Sequence, residues 1–326
     1  MVVVVVSTGG TIASVEDEDG GASPELTAER LVGVVPGLEA LTEVRTRDFA
    51  TIPSPHLTVE DLYELSALLG DLDDDPGVDG VVVTQGTDTL EESAYFLDRC
   101  YGGETPVVVT GAMRNASLAS PDGPNNLLAS VRTALSPRAA GLGVLVCLNE
   151  RVHPATTVTK VHTTNADTFR SPEFGPLASV EEDRVTWGRD PAGEEPTFDP
   201  DPDALTNDVH AVTVTVDTPR AQLRAAEDAA ALCFAATGAG HVPLSVVDEL
   251  ERLAEAGVPL VATSRCPEGR LARSTYDFRG SEQTLRELGC HVSPHNLQKT
   301  RVGTVVALAA GRLDELYPPY GANRSA

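Results

Sequence analysis

Short continuous runs of valine and other apolar residues recur along this chain, and they limit its possible folds more than any other feature. Because the runs do not alternate with polar residues, they predict strands that are buried on both faces, as in a parallel sheet. The predicted strands are residues 2–6, 80–84, 106–110, 143–148, 211–215, 231–236 and 259–263.

Segments with helical periodicity lie between these runs. An alternation of strands and helices predicts an α/β fold with a doubly wound sheet. The predicted helices are residues 58–69, 91–100, 126–135, 244–256 and 281–288.

One stretch interrupts this alternation. Residues 188–203 are rich in proline and acidic residues and show no periodicity, which is typical of a linker. We therefore predict a large N-terminal α/β domain at 1–187, a linker at 188–207 and a smaller C-terminal α/β domain at 208–326. Two domains suit a chain of 326 residues.

The charge balance is strongly acidic, with 49 acidic and 24 basic residues and a formal net charge of −25. Such a field disfavours nucleic-acid partners, since phosphate backbones are bound by basic surfaces. Only two of the basic residues are lysines. Together with the acid excess, this scarcity predicts a halophilic protein whose surface charges are screened by counter-ions. An acidic compartment or a cation-binding role would explain the acid excess but not the scarcity of lysine.

Other sequence features bear on compartment and cofactors. Five cysteines are scattered singly, which favours reduced thiols in a cytoplasmic protein. The run at 2–6 is too short for a signal peptide, and no stretch approaches the roughly 20 apolar residues of a membrane span. The histidines lack metal-ligand spacing, and the chain has neither a P-loop nor a dinucleotide fingerprint. We expect no metal, no cofactor and no membrane partner.

Lys160, in the segment T-V-T-K-V-H-T-T, is one of the two lysines beside 22 arginines. An arginine keeps its proton, whereas a buried or paired lysine can release it and act as a base. Lys160 is therefore a candidate for proton transfer. The alternative is chance retention on a solvated surface.

Polar and glycine residues follow three of the predicted strands, in S-T-G-G-T-I-A at 7–13, Q-G-T-D-T-L-E-E at 85–92 and G-A-M-R at 111–114. Ligands of open α/β sheets bind beyond the carboxyl ends of the strands, so these loops are predicted to converge. Gly9 and Gly10 would let a substrate approach Thr8. Gly-Gly could also be a plain turn.

The second loop offers a hydroxyl at Thr87 and a carboxylate at Asp88. A threonine hydroxyl becomes a nucleophile only when a base accepts its proton, and Lys160 is the candidate base, attracted by Asp88. Thr87 and Asp88 could instead cap the following helix. Similarly, D-G-P-N-N at 122–126 is interpreted as a turn and helix cap.

These motifs, taken in order, resemble those of the bacterial-type L-asparaginase family. The resemblance is carried by T-G-G-T-I-A at 8–13, Q-G-T-D-T-L-E-E-S-A-Y-F-L at 85–97, G-A-M-R at 111–114, V-T-K-V-H-T-T at 158–164 and N-L-Q-K-T-R-V at 296–302. It covers nearly the whole chain and implies the two-domain asparaginase fold.

The resemblance also implies a reaction, the hydrolysis of the side-chain amide of L-asparagine to aspartate and ammonia. Thr8 matches the family's primary nucleophile, which forms an acyl-enzyme ester. Thr87, Asp88 and Lys160 match a second triad in which the lysine assists the threonine hydroxyl.

Substrate-binding residues are implied in the same way. Ser54, Thr87 and Asp88 match residues around the substrate's α-carboxylate and α-amino groups, and the backbone of Ala112 matches the part that faces the amide. The family forms tetramers as dimers of dimers, so we expect a homo-oligomer whose partner subunit completes each site.

Several residues depart from the family pattern. The loop at 14–30 lacks the usual tyrosine, so the group that activates Thr8 stays open among a water, Ser23 and Thr27. The chain also differs from other family members at His241, Tyr276 and Pro55, where those members have different contact residues. These changes bear on substrate range.

The sequence is compatible with three functions. The first is an asparaginase, with or without glutaminase activity. The second is the amidase subunit of a tRNA-dependent amidotransferase, which the start of the motif at residue 7 and the negative charge disfavour. The third is a non-catalytic amino-acid-binding module, which the joint presence of Thr8, Thr87, Asp88 and Lys160 disfavours.

Overall fold

A computed structural model describes residues 1–10, 12, 14–16, 22–24 and 27–322. The chain divides into two compact units, Met1–Thr197 and Phe198–Ala326. Each unit has its own sheet. None of the helices within the described ranges has the length and apolar character that crossing a bilayer requires.

The first unit contains an eight-stranded sheet and two small two-stranded pairings among its described residues. Its strands are β1 (Val2–Ser7), β2 (Ser14–Glu16), β3 (Ala22–Pro24), β4 (Glu43–Asp48), β5 (Gly80–Thr84), β6 (Val107–Thr110), β7 (Val144–Leu148), β8 (Arg151–Pro154), β9 (Thr159–Lys160), β10 (Phe169–Arg170), β11 (Ala178–Glu181) and β12 (Arg184–Trp187). Its α-helices are α1 (Ala28–Gly33), α2 (Val59–Asp73), α3 (Leu90–Cys100) and α4 (Gly123–Ala134).

The large sheet has the strand order β12-β11-β8-β7-β6-β5-β1-β4. The strands from β4 to β7 in this order are parallel, as the valine runs predict. Beyond β7 the sheet becomes antiparallel, so it is a mixed sheet and the expectation of a parallel one is wrong at this edge. The reversal occurs at Asn149 and Glu150, whose φ angles of 48° and 60° suit a tight hairpin turn.

Helices cover both faces of this sheet, which confirms the doubly wound arrangement. Val3 and Val5 of β1 pack in one cluster with residues of α1 and α4, such as Leu31 and Leu127. The alternate residues of β1 pack in a second cluster with α2 and α3. Both faces of the strands are apolar because each face meets a layer of helices.

The second unit is smaller and has a four-stranded parallel sheet in the order β13-β14-β15-β16. Helices α6 and α8 both contact it. Residues 188–201 contain no strand or helix, and a short 3₁₀ turn follows at Pro202–Ala204. The remaining elements are β13 (Val209–Thr213), α5 (Ala221–Arg224), β14 (Ala231–Ala236), α6 (Leu244–Glu255), β15 (Leu260–Ser264), α7 (Glu282–Glu287), β16 (His291–Val292), α8 (Leu297–Ala309) and α9 (Leu313–Leu316).

Candidate active site

The carboxyl ends of β1, β5 and β6 lie side by side, and their loops leave the same edge of the sheet. Hydrogen bonds continue one residue past β1 and past β5: Thr8 N donates to the Thr84 carbonyl at 3.0 Å, and Gln85 N donates to the Thr110 carbonyl at 2.9 Å. The predicted convergence of the three loops is therefore confirmed.

The glycines in these loops allow main chains to touch. Gly9 and Gly10 have φ angles of 103° and 86°, which side chains rarely tolerate. A Cβ atom on Gly10 would lie 2.1 Å from the nitrogen of Gly86, and one on Gly86 would lie 2.8 Å from Ser54 Oγ. The Gly-Gly pair is thus a close-approach point and not only a turn.

Lys160 reaches this edge from the β9–β10 hairpin, where it pairs with Phe169. Its Nζ donates to Thr87 Oγ1 at 2.9 Å and to Asp88 Oδ1 at 2.7 Å. The Lys160 side chain is only 13% exposed, so its retention on a solvated surface is excluded. The ammonium is held between a hydroxyl and a carboxylate, and the carboxylate partner remains open to solvent at 67% exposure.

The helix-cap alternative for Thr87 and Asp88 does not hold. Helix α3 begins at Leu90 with Thr89 as its N-cap residue, and the Thr89 side chain does not cap it. Thr89 Oγ1 instead donates to the Ser54 carbonyl at 2.9 Å. The hydroxyl of Thr87 and the carboxylate of Asp88 are therefore engaged with Lys160 and not with the helix.

Thr8 is buried, and its hydroxyl has a main-chain partner. Its Oγ1 donates to the Thr84 carbonyl at 3.0 Å, and no hydrogen bond among the described residues connects it with Lys160. Of the candidate partners for Thr8, Thr27 caps α1 by accepting from Arg30 N. The side chain of Ser23 lies outside the described ones.

Two further predicted residues line the same edge. Ser54 is buried and begins a short 3₁₀ turn, Ser54–His56. Ala112 is fully buried in the loop after β6, and the preceding Gly111 lies against Thr87, whose Cγ2 would be 3.1 Å from a Cβ on that glycine. The structure thus places Ser54, Thr87 and Ala112 on neighbouring segments.

Known proteins show the same domain pair. The sequence family "Asparaginase, N-terminal" matches residues 2–193. The sequence family "Glutaminase/Asparaginase C-terminal domain" matches residues 208–315. An L-asparaginase of Bacillus licheniformis is 32% identical over 314 residues, which are 94% of this chain and 95% of that protein. This chain belongs to the asparaginase family.

Other asparaginase-family proteins are similar over comparable lengths. A glutaminase-asparaginase of Pseudomonas fluorescens biotype A is 34% identical, with 94% of this chain and 86% of that protein covered. Among solved structures, a probable cytoplasmic L-asparaginase from Campylobacter jejuni has a TM-score of 0.82 at 28% identity, with 94% of both chains covered.

The C-terminal unit of this asparaginase-family chain contains a compact aromatic group. The ring of His241 lies 4.6 Å from that of Tyr276 and 5.0 Å from that of Phe278. Beneath them Glu282 is fully buried and accepts the main-chain N–H groups of Thr275 and Tyr276. Burial raises the pKa of Glu282, but these N–H groups and His241 outweigh it and leave the pKa lowered.

The cysteines differ in their exposure to solvent. Cys147, Cys233 and Cys290 are buried, and burial raises the pKa of each thiol to about 12. Cys266 is exposed in the second unit. Within the described ranges, no group of three or more His, Cys, Asp or Glu side chains is placed to hold a metal ion.

Sequence reasoning missed one part of the site. Asp122 stands at the N-cap position of α4, but its side chain does not cap the helix. The carboxylate instead accepts main-chain N–H groups of the loop that contains Ala112. The only available signal was the D-G-P-N-N motif, and a motif alone does not distinguish a helix cap from a longer-range contact.

Proposed function

We propose that this chain is an L-asparagine amidohydrolase, which converts asparagine and water to aspartate and ammonia. The observation that carries the proposal is the position of Lys160 Nζ, within 2.9 Å of Thr87 Oγ1 and 2.7 Å of Asp88 Oδ1. It lies on the sheet edge that also holds Thr8, in a member of a family whose relatives are named L-asparaginase.

The first half of the proposed reaction forms an ester. Thr8 Oγ1 attacks the side-chain amide carbon of asparagine, the hydroxyl proton passes to a base, and the carbonyl oxygen gains negative charge. When this intermediate collapses, the C–N bond breaks and the nitrogen takes up a proton to leave as ammonia. Main-chain N–H groups in the glycine-rich loops are suited to stabilise the oxyanion.

The second half consumes water. Water attacks the ester carbon, gives up a proton, and releases aspartate and the Thr8 hydroxyl. We assign the proton exchange to Thr87, whose hydroxyl is already hydrogen-bonded to Lys160. Lys160 must lose a proton to act as a base, which an amine can do and a guanidinium cannot. Asp88 neutralises the ammonium form between these steps.

The substrate's charged ends are assigned to the neighbouring polar groups. Asp88 is open enough to bind the α-ammonium group while it pairs with Lys160. Ser54 offers a hydroxyl for the α-carboxylate, and the main chain of Ala112 faces the side-chain amide. Because Ser54 and Ala112 are buried, this pocket is suited to a small zwitterion held at both ends.

A broader glutaminase-asparaginase is the second candidate, since the Pseudomonas fluorescens relative has that name at 34% identity. Asparagine and glutamine differ by one methylene, which a pocket distinguishes by only about 1–3 kcal/mol. The two activities therefore need separate measurement.

Ammonia release from asparagine and from glutamine, measured side by side at high salt, tests the proposal. We expect wild type to release ammonia from asparagine and Thr8→Val to lose nearly all activity while keeping the same thermal midpoint. An inactive wild-type protein would contradict the proposal and would fit an amidotransferase subunit or a binding module. Full activity in Thr8→Val would remove Thr8 as nucleophile.

We also propose a homotetramer that acts in the cytoplasm at high salt without metal or cofactor. The support is the acidic, lysine-poor composition and membership of the family, together with the cytoplasmic assignment in the name of the Campylobacter jejuni protein. Light scattering of purified protein measures the assembly directly, and a monomer at high salt would contradict this part of the proposal.

A further inference from the structure

The start of α4 holds the loop that follows β6. Asp122 Oδ1 accepts from Arg114 N at 2.8 Å and from Met113 N at 3.1 Å. Asn126, which is fully buried, donates its side-chain amide to the Gly111 carbonyl at 2.9 Å and to Asp122 Oδ2 at 3.1 Å. Two side chains of one helical turn thus fix three successive peptides of the loop.

These bonds set the direction of the polar groups of Ala112. In a trans peptide the C=O and N–H groups point in opposite directions. Since Met113 N–H points toward Asp122, the carbonyl of Ala112 in the same peptide points away from Asp122. Likewise the Gly111 carbonyl points toward Asn126, so the N–H of Ala112 points away from it.

Ala112 therefore presents both main-chain polar groups on the side away from α4. It is fully buried, and its N–H and C=O form no hydrogen bond with any other described residue. Buried main-chain groups are nearly always paired with protein, water or ligand, so these two groups of Ala112 are suited to contact a bound ligand.

We propose that Asp122 is a positioning residue: by binding the Met113 and Arg114 N–H groups, it aims the Ala112 carbonyl at the side-chain amide of the substrate. This inference rests on the proposed asparagine amidohydrolase function. The carbonyl accepts an N–H of the amide nitrogen. That hydrogen bond strengthens as the nitrogen gains a proton and leaves, so it favours the transition state over bound substrate.

An ester substrate separates this role from a merely structural one. The β-methyl ester of L-aspartate has the same charged ends as asparagine, but the leaving oxygen of the bound ester carries no hydrogen to donate. The Ala112 carbonyl therefore forms no hydrogen bond with the leaving group of the ester substrate. A misdirected carbonyl should slow amide hydrolysis and leave ester hydrolysis nearly unchanged.

Asp73→Asn provides a matched control at the other end of β6. Asp73 Oδ1 accepts Thr105 N at 2.8 Å in the loop that precedes this strand, as Asp122 accepts N–H groups in the loop that follows it. Both substitutions remove one charge and weaken main-chain hydrogen bonds in the same unit. Of these two aspartates, Asp122 is the one that contacts the loop of Ala112.

The experiment measures kcat/KM for asparagine and for the β-methyl ester in wild type, Asp122→Asn and Asp73→Asn, with the thermal midpoint of each. We expect Asp122→Asn to lower kcat/KM for asparagine by about tenfold, the effect of one lost hydrogen bond, with the ester changed by less than about twofold. Asp73→Asn should leave the ratio of amide to ester hydrolysis unchanged. If Asp122→Asn does not fold, Asp122→Ser, which keeps one acceptor oxygen, should shift the ratio in the same direction.

If kcat/KM falls equally for the amide and the ester in a folded Asp122 variant, the positioning role is overturned. Unchanged kcat/KM for asparagine would overturn it as well. A wild-type protein that hydrolyses neither substrate would instead contradict the proposed function itself. The two failures are therefore distinguishable in one set of measurements.

Discussion

The surroundings of Lys160 explain why a lysine stands at this position in a chain with two lysines and 22 arginines. Both lysines of the sequence are shielded from solvent: the Lys160 side chain is 13% exposed, and Lys299 is buried in α8. A lysine-poor surface therefore leaves amines only in the interior. At Lys160 the shielded amine contacts a threonine hydroxyl, which is the contact that proton exchange requires.

Asp88→Asn should disable the site without unfolding the chain. The uncharged amide introduced at position 88 can neither neutralise the ammonium of Lys160 nor bind the substrate's α-ammonium group as an anion. The value of kcat/KM should therefore fall by about 100-fold or more. Because the Asp88 carboxylate is 67% exposed and its charge is screened by solvent, the thermal midpoint should change little. Ammonia release and thermal unfolding measure the two effects.

The control for this substitution is Asp190→Asn, which removes another exposed carboxylate of the same unit that pairs with an arginine, Arg138. Its activity should equal that of wild type. An Asp88→Asn protein that keeps most of its activity would contradict the assigned role of this carboxylate.

Thiol reactivity should follow burial. Cys147, Cys233 and Cys290 are buried with pKa values raised to about 12, whereas Cys266 is exposed. A thiol reacts as its thiolate, so a soluble disulfide reagent should modify Cys266 first in the native protein. Mass spectrometry of peptides identifies the modified site, and rapid labelling of Cys147 under native conditions would contradict the described core.

At the scale of elements, β6 is fixed by a carboxylate at each end. Asp73, the last residue of α2, accepts Thr105 N at 2.8 Å and the Tyr101 hydroxyl at 3.0 Å. Burial raises the pKa of this carboxyl, but the hydrogen bonds from Thr105 and Tyr101 outweigh it and leave the pKa lowered. The ionised form is therefore the one that stabilises the fold.

Asp73→Asn should destabilise the protein at neutral pH by about 1.5–3 kcal/mol, the usual effect of losing hydrogen bonds to a charged group. A lowered folded-state pKa gives stability that is complete above the unfolded value of about 3.9 and is lost as pH falls through the folded value. The difference between wild type and variant should therefore shrink at acid pH. Denaturant unfolding at neutral and acid pH measures it, and a constant difference would contradict this linkage.

The sequence predicted the buried elements well and the exposed ones poorly. The prediction for β5 matches its bounds, and α6 differs by one residue at its end, because both present apolar residues to a core. Strand β4 was missed because E-V-R-T-R-D lies at an exposed sheet edge and carries no apolar run. The prediction for β13 starts two residues late, since His210 interrupts the apolar run after Val209.

The site was predictable where residue chemistry is unusual. The scarcity of lysine and the T-D pair after a buried strand pointed to the Lys160, Thr87 and Asp88 contact. The role of Asp122 was not predictable, because a carboxylate that accepts main-chain N–H groups eight and nine residues earlier leaves no periodic signal. Such a contact depends on how the loop folds back over α4.

At the scale of the whole molecule, the excess of negative charge is the main influence on stability and assembly. With 49 acidic and 24 basic residues, the chain has a formal net charge of −25, and its carboxylates repel one another. Their repulsion acts over about 10 Å at 0.1 M salt and about 3 Å at 1 M. The folded and assembled states concentrate this charge, so both should be less stable in dilute buffer.

We therefore expect the thermal midpoint to rise with potassium chloride and the assembled form to dissociate as salt is removed. Calorimetry and light scattering across one salt series measure both. Potassium chloride is chosen because it screens charge without the strong exclusion effect of sulfate. A midpoint that is independent of salt, or an unchanged assembly in dilute buffer, would contradict adaptation to high salt.

Ammonia release from asparagine by Lys160→Met and Lys160→Arg, beside wild type at high salt, tests the proton-exchange role of Lys160 most directly. General acid–base catalysis contributes about 10²–10⁴ in rate, so both variants should lose at least about 100-fold in kcat/KM with thermal midpoints close to wild type. Arginine keeps the positive charge and the pairing with Asp88, but it cannot give up its proton. A Lys160→Arg enzyme as active as wild type would contradict the proposed mechanism.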